Sequence, residues 1–376
     1  MSTTKILSLV AVAVAVVFIP RLLSSNAAES SGKYELIEVE NPVFRGNQLF
    51  VSHEDLRSPR FRQLRDRYDL DKVVEGQTNE FKRILLLRHW IKEHIRIEND
   101  HPTVTRGDAF GILDAALQGG GFHCGHFMVV QNAVLNAFGY VTRCLGVGPG
   151  GTPDSPGGHH GVNEVWSNDF RKWVLIDAKY DTHFEKNGIP LSALEVRDEL
   201  LRNGVADIIC MRGPDRRPVD GPEEPEGGPV TYRWLTWEIQ ADRHSNWPLF
   251  HSSALVTWED EYSRSHTWWR RGETNKHWAY DAGYFVPTRH RGWIEWTPNV
   301  LDVTASVEQG QLRGQITSCT PNLLEYQVRE EPGGHWRPID PYFTLPLSQP
   351  RHEWLLRSVN LAGVVGPSYR LVVERK

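Results

Sequence analysis

Apolar and polar positions repeat with two different periods along this chain, and the change of period marks out its parts. From Asn79 the apolar residues Phe81, Ile84, Leu85, Leu87, Ile91 and Ile95 recur at helical spacing, interrupted by the charge of Arg88, with Asn79 placed to cap the helix. A shorter helix is predicted over Ala109 to Leu117, running into Gly119-Gly120-Gly121. After Cys124 the segment Phe127 to Phe138 is again apolar at helical spacing and stops at Gly139. The period then falls to two. A strand is expected from Tyr140 to Val147, and a hairpin pairs Val162–Trp166 with Lys172–Asp177 across the turn Ser167-Asn168-Asp169-Phe170. An earlier strand is predicted from Tyr34 to Val39.

Three further stretches differ in character. Gly148 to Gly158 is rich in glycine and proline and predicts a loop just before His160, either a flap over a site or a passive surface loop. Gly213 to Val230, with five prolines and several acidic residues, reads as a linker or exposed insertion. From Asn299 short alternating runs (301–307, 312–316, 324–328, 353–359 and 369–373), divided by turns such as Pro332-Gly333-Gly334 and Ala362-Gly363, predict a small immunoglobulin- or fibronectin-like β-sandwich.

The candidate chemistry lies between the second and third helices and the hairpin. In Gly-Phe-His-Cys124-Gly-His a thiol precedes the helical run, so Cys124 is expected at a helix N-terminus, where unpaired N–H groups and the dipole favour a thiolate. His160 opens the second strand and Asp177 closes the third, so the hairpin brings imidazole and carboxylate near one edge. Nucleophile, base and orienter then occur in that order. The expectation is that Asp177 accepts from Nδ1 of His160 and leaves Nε2 facing the sulfur. A one-residue slip would put His159 in place of His160, and Asp181 is a rival for Asp177. Zinc would suit His123, Cys124, His126 and His159-His160, but paired C-x-x-C spacing is missing and no metal or other cofactor is expected.

These residues resemble the transglutaminase-like superfamily over roughly Glu80 to Phe184. The resemblance implies an α+β fold, a transglutaminase-like (papain-type) catalytic core, here followed by the C-terminal β-sandwich. It also implies that Cys124 is the nucleophile, His160 the general base and acid, and Asp177 the orienter, with the helix from Asn79 packed behind the catalytic one. The backbone N–H of Cys124 is a natural oxyanion donor, and Gln118, six residues earlier, is a candidate second donor because papain-type enzymes carry a glutamine there. The competing reading of Gln118 is a solvated loop residue.

Composition narrows the rest. The chain has 376 residues, 40% hydrophobic and 24% charged, which is ordinary for a globular protein with more than one core. A net charge of −5 gives no reason to expect nucleic acid. Lys5 precedes an apolar run over residues 6–19, and Ser25-Asn26-Ala27 offers small residues for cleavage. The run is shorter than the roughly 20 residues a spanning helix needs, which favours a cleaved signal peptide over an uncleaved anchor. Cysteines 124, 144, 210 and 319 leave room for at most one disulfide beside a free nucleophile. Nine of the fourteen tryptophans fall between Thr231 and Trp296, where they either grip a polymer or fill a β-rich core and the seam with the catalytic unit.

The expected organisation is a signal or anchor at 1–28, a catalytic domain at 31–212, a linker or insertion at 213–230, a Trp-rich segment at 231–298 packing on the core, and a sandwich at 299–376. The expected activity is that of a secreted or periplasmic bacterial-type enzyme, held at a membrane only if residues 6–19 persist. It would attack carboxamide or peptide bonds of a protein, peptide or cell-envelope substrate through a thioester, with the resemblance favouring hydrolysis (protease or amidase) over cross-linking. The alternative is a binding protein that keeps the fold as a scaffold for a cell-surface polymer.

Overall fold

A computed structural model of the chain describes residues 33–47, 53–105, 108–148, 160–219, 228, 232, 234–239, 254–258 and 285–376. The N-terminal apolar run, His159, nearly all of the loop before His160 and much of the tryptophan block lie outside the described residues.

The first strand, β1 (Tyr34–Ile37), precedes the helices α1 (Pro59–Arg67), α2 (Leu70–Val73) and α3 (Glu80–His94). Asn79 caps α3 by accepting from Lys82 N–H at 2.7 Å, as its position predicts. A short β2 (Arg96–Ile97) leads to α4 (Ala109–Leu117), β3 (Gly121–Phe122) and α5 (Cys124–Ala137). The glycine run has a structural cause. Gly119 sits at φ +91, and the N–H groups of Gly119 and Gly120 bond back to Ala116 and Ala115, a Schellman ending that turns the chain from α4 into β3. Helix α5 is buried along most of its length and packs with α1, α3 and α4 in one apolar core, to which Val165, Val174 and Ile176 contribute from the sheet.

The sheet strands follow: β4 (Thr142–Gly148), β5 (His160–Ser167), β6 (Lys172–Ile176), β7 (Thr182–Lys186) and β8 (Ile189–Pro190). After α6 (Ala193–Asn203), closed by a Ser192/Glu195 capping box, come β9 (Ile209–Arg212) and β10 (Arg217–Val219). The boundary expected at 213 therefore falls inside a β9–β10 hairpin belonging to the β10-β9-β7-β8 sheet. The Trp-rich segment contributes β11 (Trp234–Ile239), β12 (Ala254–Trp258) and β13 (Phe285–Thr288). They extend the sheet of the β5–β6 hairpin in the order β13-β12-β11-β4-β5-β6. Within the described part, Trp296 packs edge-on to Trp173, whose indole N–H donates to the Trp296 carbonyl at 2.8 Å.

A single turn, α7 (Arg291–Ile294), precedes β14 (Leu301–Glu308), β15 (Gln311–Ser318), β16 (Leu323–Glu331), β17 (Arg337–Ile339), β18 (Tyr342–Pro346), β19 (Arg351–Asn360) and β20 (Tyr369–Arg375). Sheets β14-β15-β18 and β1-β20-β19-β16-β17 enclose one apolar core around Trp354, Val328 and Leu312. Strand β1, which the expected organisation places in the domain of residues 31–212, instead pairs antiparallel with β20, Tyr34 opposite Arg375. Alternation alone cannot choose a partner that distant. The two units dock at Gly139, which ends α5 at φ +80: its carbonyl accepts from Asn360 Nδ2 at 2.8 Å, and an added Cβ would lie 2.4 Å from Ala362 Cβ. All four cysteines are free.

Gly139→Ala must bear both positive φ and the collision with Ala362, whereas Gly188→Ala, at φ +76 in the β7–β8 turn, meets nothing within 4 Å. Urea unfolding is expected to show a loss of about 1 kcal/mol for Gly188→Ala and at least about 2 kcal/mol more for Gly139→Ala. Equal losses would mean that the sandwich does not bear on Gly139.

Candidate active site

Cys124 is the first residue of α5, so its N–H and those after it lack carbonyl partners within the helix. The helix begins at Cys124 as expected, with His123 as N-cap, its Nδ1 accepting from Gly125 N–H at 3.1 Å. Gly161, on β5, lets this first turn come down onto the sheet. A Cβ there would sit 3.3 Å from Met128 Sδ and 3.6 Å from Gly125 Cα, and the Gly161 N–H donates to the Cys124 sulfur.

His160 and Asp177 meet through strand register. Asn163 pairs with Ile176, so continuing the ladder sets Asp177 opposite Val162 and makes it the diagonal neighbour of His160 on one face. Their bond joins Nε2 to Asp177 Oδ2 at 2.7 Å. This corrects the expected assignment of the ring nitrogens. The sulfur lies against the strand at Gly161, within reach of the nitrogen nearer the backbone, and the carboxylate must be reached across the diagonal by the far one. Nδ1 is thus left for Cys124, with which His160 is hydrogen-bonded. The other oxygen of Asp177 accepts from the N–H groups of Lys179 (2.8 Å) and Tyr180 (3.3 Å), so the carboxylate is buried and fully engaged.

The electrostatics follow. Burial pushes the Cys124 thiol up, but the His123 and His160 imidazoles and the Gly161 N–H outweigh it and bring the thiol down to about 5. Burial likewise pulls His160 down, but the charge and hydrogen bond of Asp177, together with the sulfur, raise it to about 9. Between those values the stable pair is thiolate and imidazolium. His126, one turn into α5, is driven down to about 4 by burial and by His123, and packs neutral against the rings of Phe122 and His123.

Asp181, the rival orienter, is engaged elsewhere. One oxygen accepts from Arg88 Nε at 2.7 Å and the other bonds His89 Nδ1 at 2.6 Å. Arg88 is fully buried and also donates to the Asp181 carbonyl and to His183 Nδ1. Because guanidinium only donates, His183 Nδ1 must accept and its Nε2–H points to Glu185, 2.6 Å away. Glu185 is held at about 2: burial would raise it, but His183 and Arg216 hold it down. At the other end of β6, Glu80 of α3 accepts from Asn168 N–H and side chain while Asp169 accepts from Phe81 N–H. Helix α3 therefore grips both turns that bound β6. Arg88 reads from sequence as a mere interruption of an apolar face; an arginine at a position the helical period assigns to the core was the available signal.

Gln118 is the exposed C-cap of α4, and its side chain makes no hydrogen bond among the described residues. No group of three or more His, Cys, Asp or Glu side chains among the described residues is arranged to hold a metal ion.

Residues 70–178 match the family model described as the transglutaminase-like superfamily, a span that contains Cys124, His160 and Asp177. The chain carries a transglutaminase-like domain there, of a superfamily whose members are generally cysteine-dependent enzymes with a papain-like fold. No curated protein matches the chain.

Alkylation of Cys124 by iodoacetamide, located by mass spectrometry, is expected to rise as pH passes about 5 and to be fast at pH 7, where an ordinary thiol is mostly protonated. In Asp177→Asn the loss of the anion lowers His160, and the alkylation limb should move to higher pH; an unmoved limb would remove Asp177 from the site. Arg88→Met leaves Asp181 buried without its guanidinium and should cost about 3–5 kcal/mol in urea unfolding.

Proposed function

We propose that this protein is an exported cysteine enzyme that cleaves carboxamide or peptide bonds through a thioester, by hydrolysis rather than cross-linking. The observation that carries this reading is the placement of Cys124 against His160 with His160 bonded to Asp177. In the resting pair the nucleophile is already charged and the acid already holds its proton. The thiolate attacks the carbonyl carbon, and the resulting oxyanion is met by the Cys124 backbone N–H at the helix start. As the C–N bond breaks, His160 gives its Nδ1 proton to the departing amine or ammonia, leaving a thioester. The neutral imidazole then takes a proton from water, hydroxide adds to the thioester, and collapse releases acid and restores the ion pair. Asp177 accepts from Nε2 and holds the ring in place for both stages.

An amine entering in place of water would transfer the acyl group instead. The resemblance to exported bacterial-type hydrolases supports water, and the apolar run at residues 6–19 supports export.

The test offers glutamine-containing and unmodified peptides to the purified chain with and without a dansylated alkylamine. Hydrolysis predicts ammonia or new peptide termini without dansyl incorporation, a bell-shaped kcat/KM with limbs near 5 and 9, and loss of at least about 1,000-fold in Cys124→Ala. The lower limb is protonation of the sulfur; the upper is loss of the proton the leaving amine needs. Incorporation of dansyl would make the enzyme a cross-linker, and absence of turnover in the wild type together with biological activity undiminished in Cys124→Ala would favour a binding scaffold.

A further inference from the structure

The turn that secures Asp177 also carries a buried cation, Lys179, that no side-chain anion balances among the described residues. Lys179 is only 5% exposed. Its ammonium bonds Asn99 Oδ1 at 3.0 Å and lies 4.9 Å from the ring centre of Tyr180. Among the described residues no carboxylate comes within ion-pair distance of it. An ammonium has three donors, and a buried charge is ordinarily paired. Its partners among the described residues are one neutral amide and one aromatic face, and neither carries a compensating charge.

The location joins that charge to the thiol. Asn99 follows β2, whose Ile97 pairs in parallel with Phe122, and the Glu98 N–H donates to the Phe122 carbonyl at 2.9 Å, two residues before Cys124. On the opposite side the Tyr180 ring packs 5.5 Å from the His160 imidazole. Lys179 thus reaches from the turn behind His160 to the segment flanking the nucleophile.

From this placement we infer that Lys179 recognises a carboxylate on the acyl-donor substrate, borne close to the scissile carbonyl. The inference rests on Cys124 being the nucleophile. Such an anion completes the pairing of Lys179 and is aligned by it, so neutral analogues of the same shape enter the site less well. Asn99 and Tyr180 hold the ammonium in place, and the Lys179 N–H on Asp177 ties its backbone to the orienting carboxylate.

Iodoacetate and iodoacetamide test this without a known substrate. Both lose iodide as the Cys124 sulfur forms its bond to carbon, and they differ by one carboxylate beside the reacting atom. The ratio of their rates at Cys124 of the full chain is expected to fall about five-fold in Lys179→Gln and to stay within about two-fold of wild type in Lys179→Arg. An unchanged iodoacetamide rate shows that the site is intact. A ratio that Lys179→Gln does not move overturns the inference and leaves the nucleophile reading standing. If wild-type Cys124 reacts with iodoacetamide no faster than the other three cysteines, the nucleophile reading itself fails and takes this inference with it. A second measurement on the wild-type chain covers a variant that does not fold. Succinamate should half-protect Cys124 from iodoacetamide at about one-fifth the concentration of succinamide, and equal protection overturns the inference.

Discussion

The approach of the α5 N-terminus to β5 at Gly161 is the contact on which the chemistry depends. Burial alone would discharge both Cys124 and His160, raising the thiol and lowering the imidazole. The site reverses both tendencies by supplying each charge with local partners: the His123 and His160 imidazoles and the Gly161 N–H for the sulfur, and Asp177 and the sulfur for the imidazolium. A Cβ at position 161 would press on the Met128 sulfur, 3.3 Å away, and rest at contact distance, 3.6 Å, from the Gly125 Cα of the helix's first turn, so glycine leaves just the room that this approach needs.

Helix α3 supplies the rigidity behind this arrangement. Its first turn bonds the hairpin turn through Glu80 and Asp169, and Arg88, two turns on, bonds the turn that carries Asp181. Both ends of β6 are therefore referred to one rigid element, and Asp177 sits at the end of that strand. Buried ion pairs are poor sources of net stability because desolvation opposes their attraction. Here the directionality of the guanidinium fork is the more important property, since it also dictates the tautomer of His183.

The β5–β6 hairpin forms one edge of a six-stranded sheet. Strands from the Trp-rich segment continue it beyond β4, and the sandwich closes over the end of α5 at Gly139. Between these units Arg143 bridges Glu164 and the Ile294 carbonyl while stacking 3.9 Å from the Trp173 ring centre. A buried charge, an aromatic face and a backbone acceptor thereby join the hairpin to the segment that leads into the sandwich.

Local pattern was enough to place much of this. The Asn79 cap, the helical face from Phe81, the hairpin and the alternating C-terminal runs each reflect interactions within a few residues, so sequence carries them directly. The same holds for the order of Cys124, His160 and Asp177 at a helix start, a strand start and a strand end. The pairing of β1 with β20, the burial of Arg88 and the engagement of Asp181 join segments far apart along the chain, and periodicity holds no record of such distances. Which imidazole nitrogen meets which partner belongs to that second group. Residue order set a histidine between a thiol and a carboxylate; the depth to which Gly161 admits the helix, and the diagonal offset between neighbouring strands, decided that Nε2 meets the carboxylate.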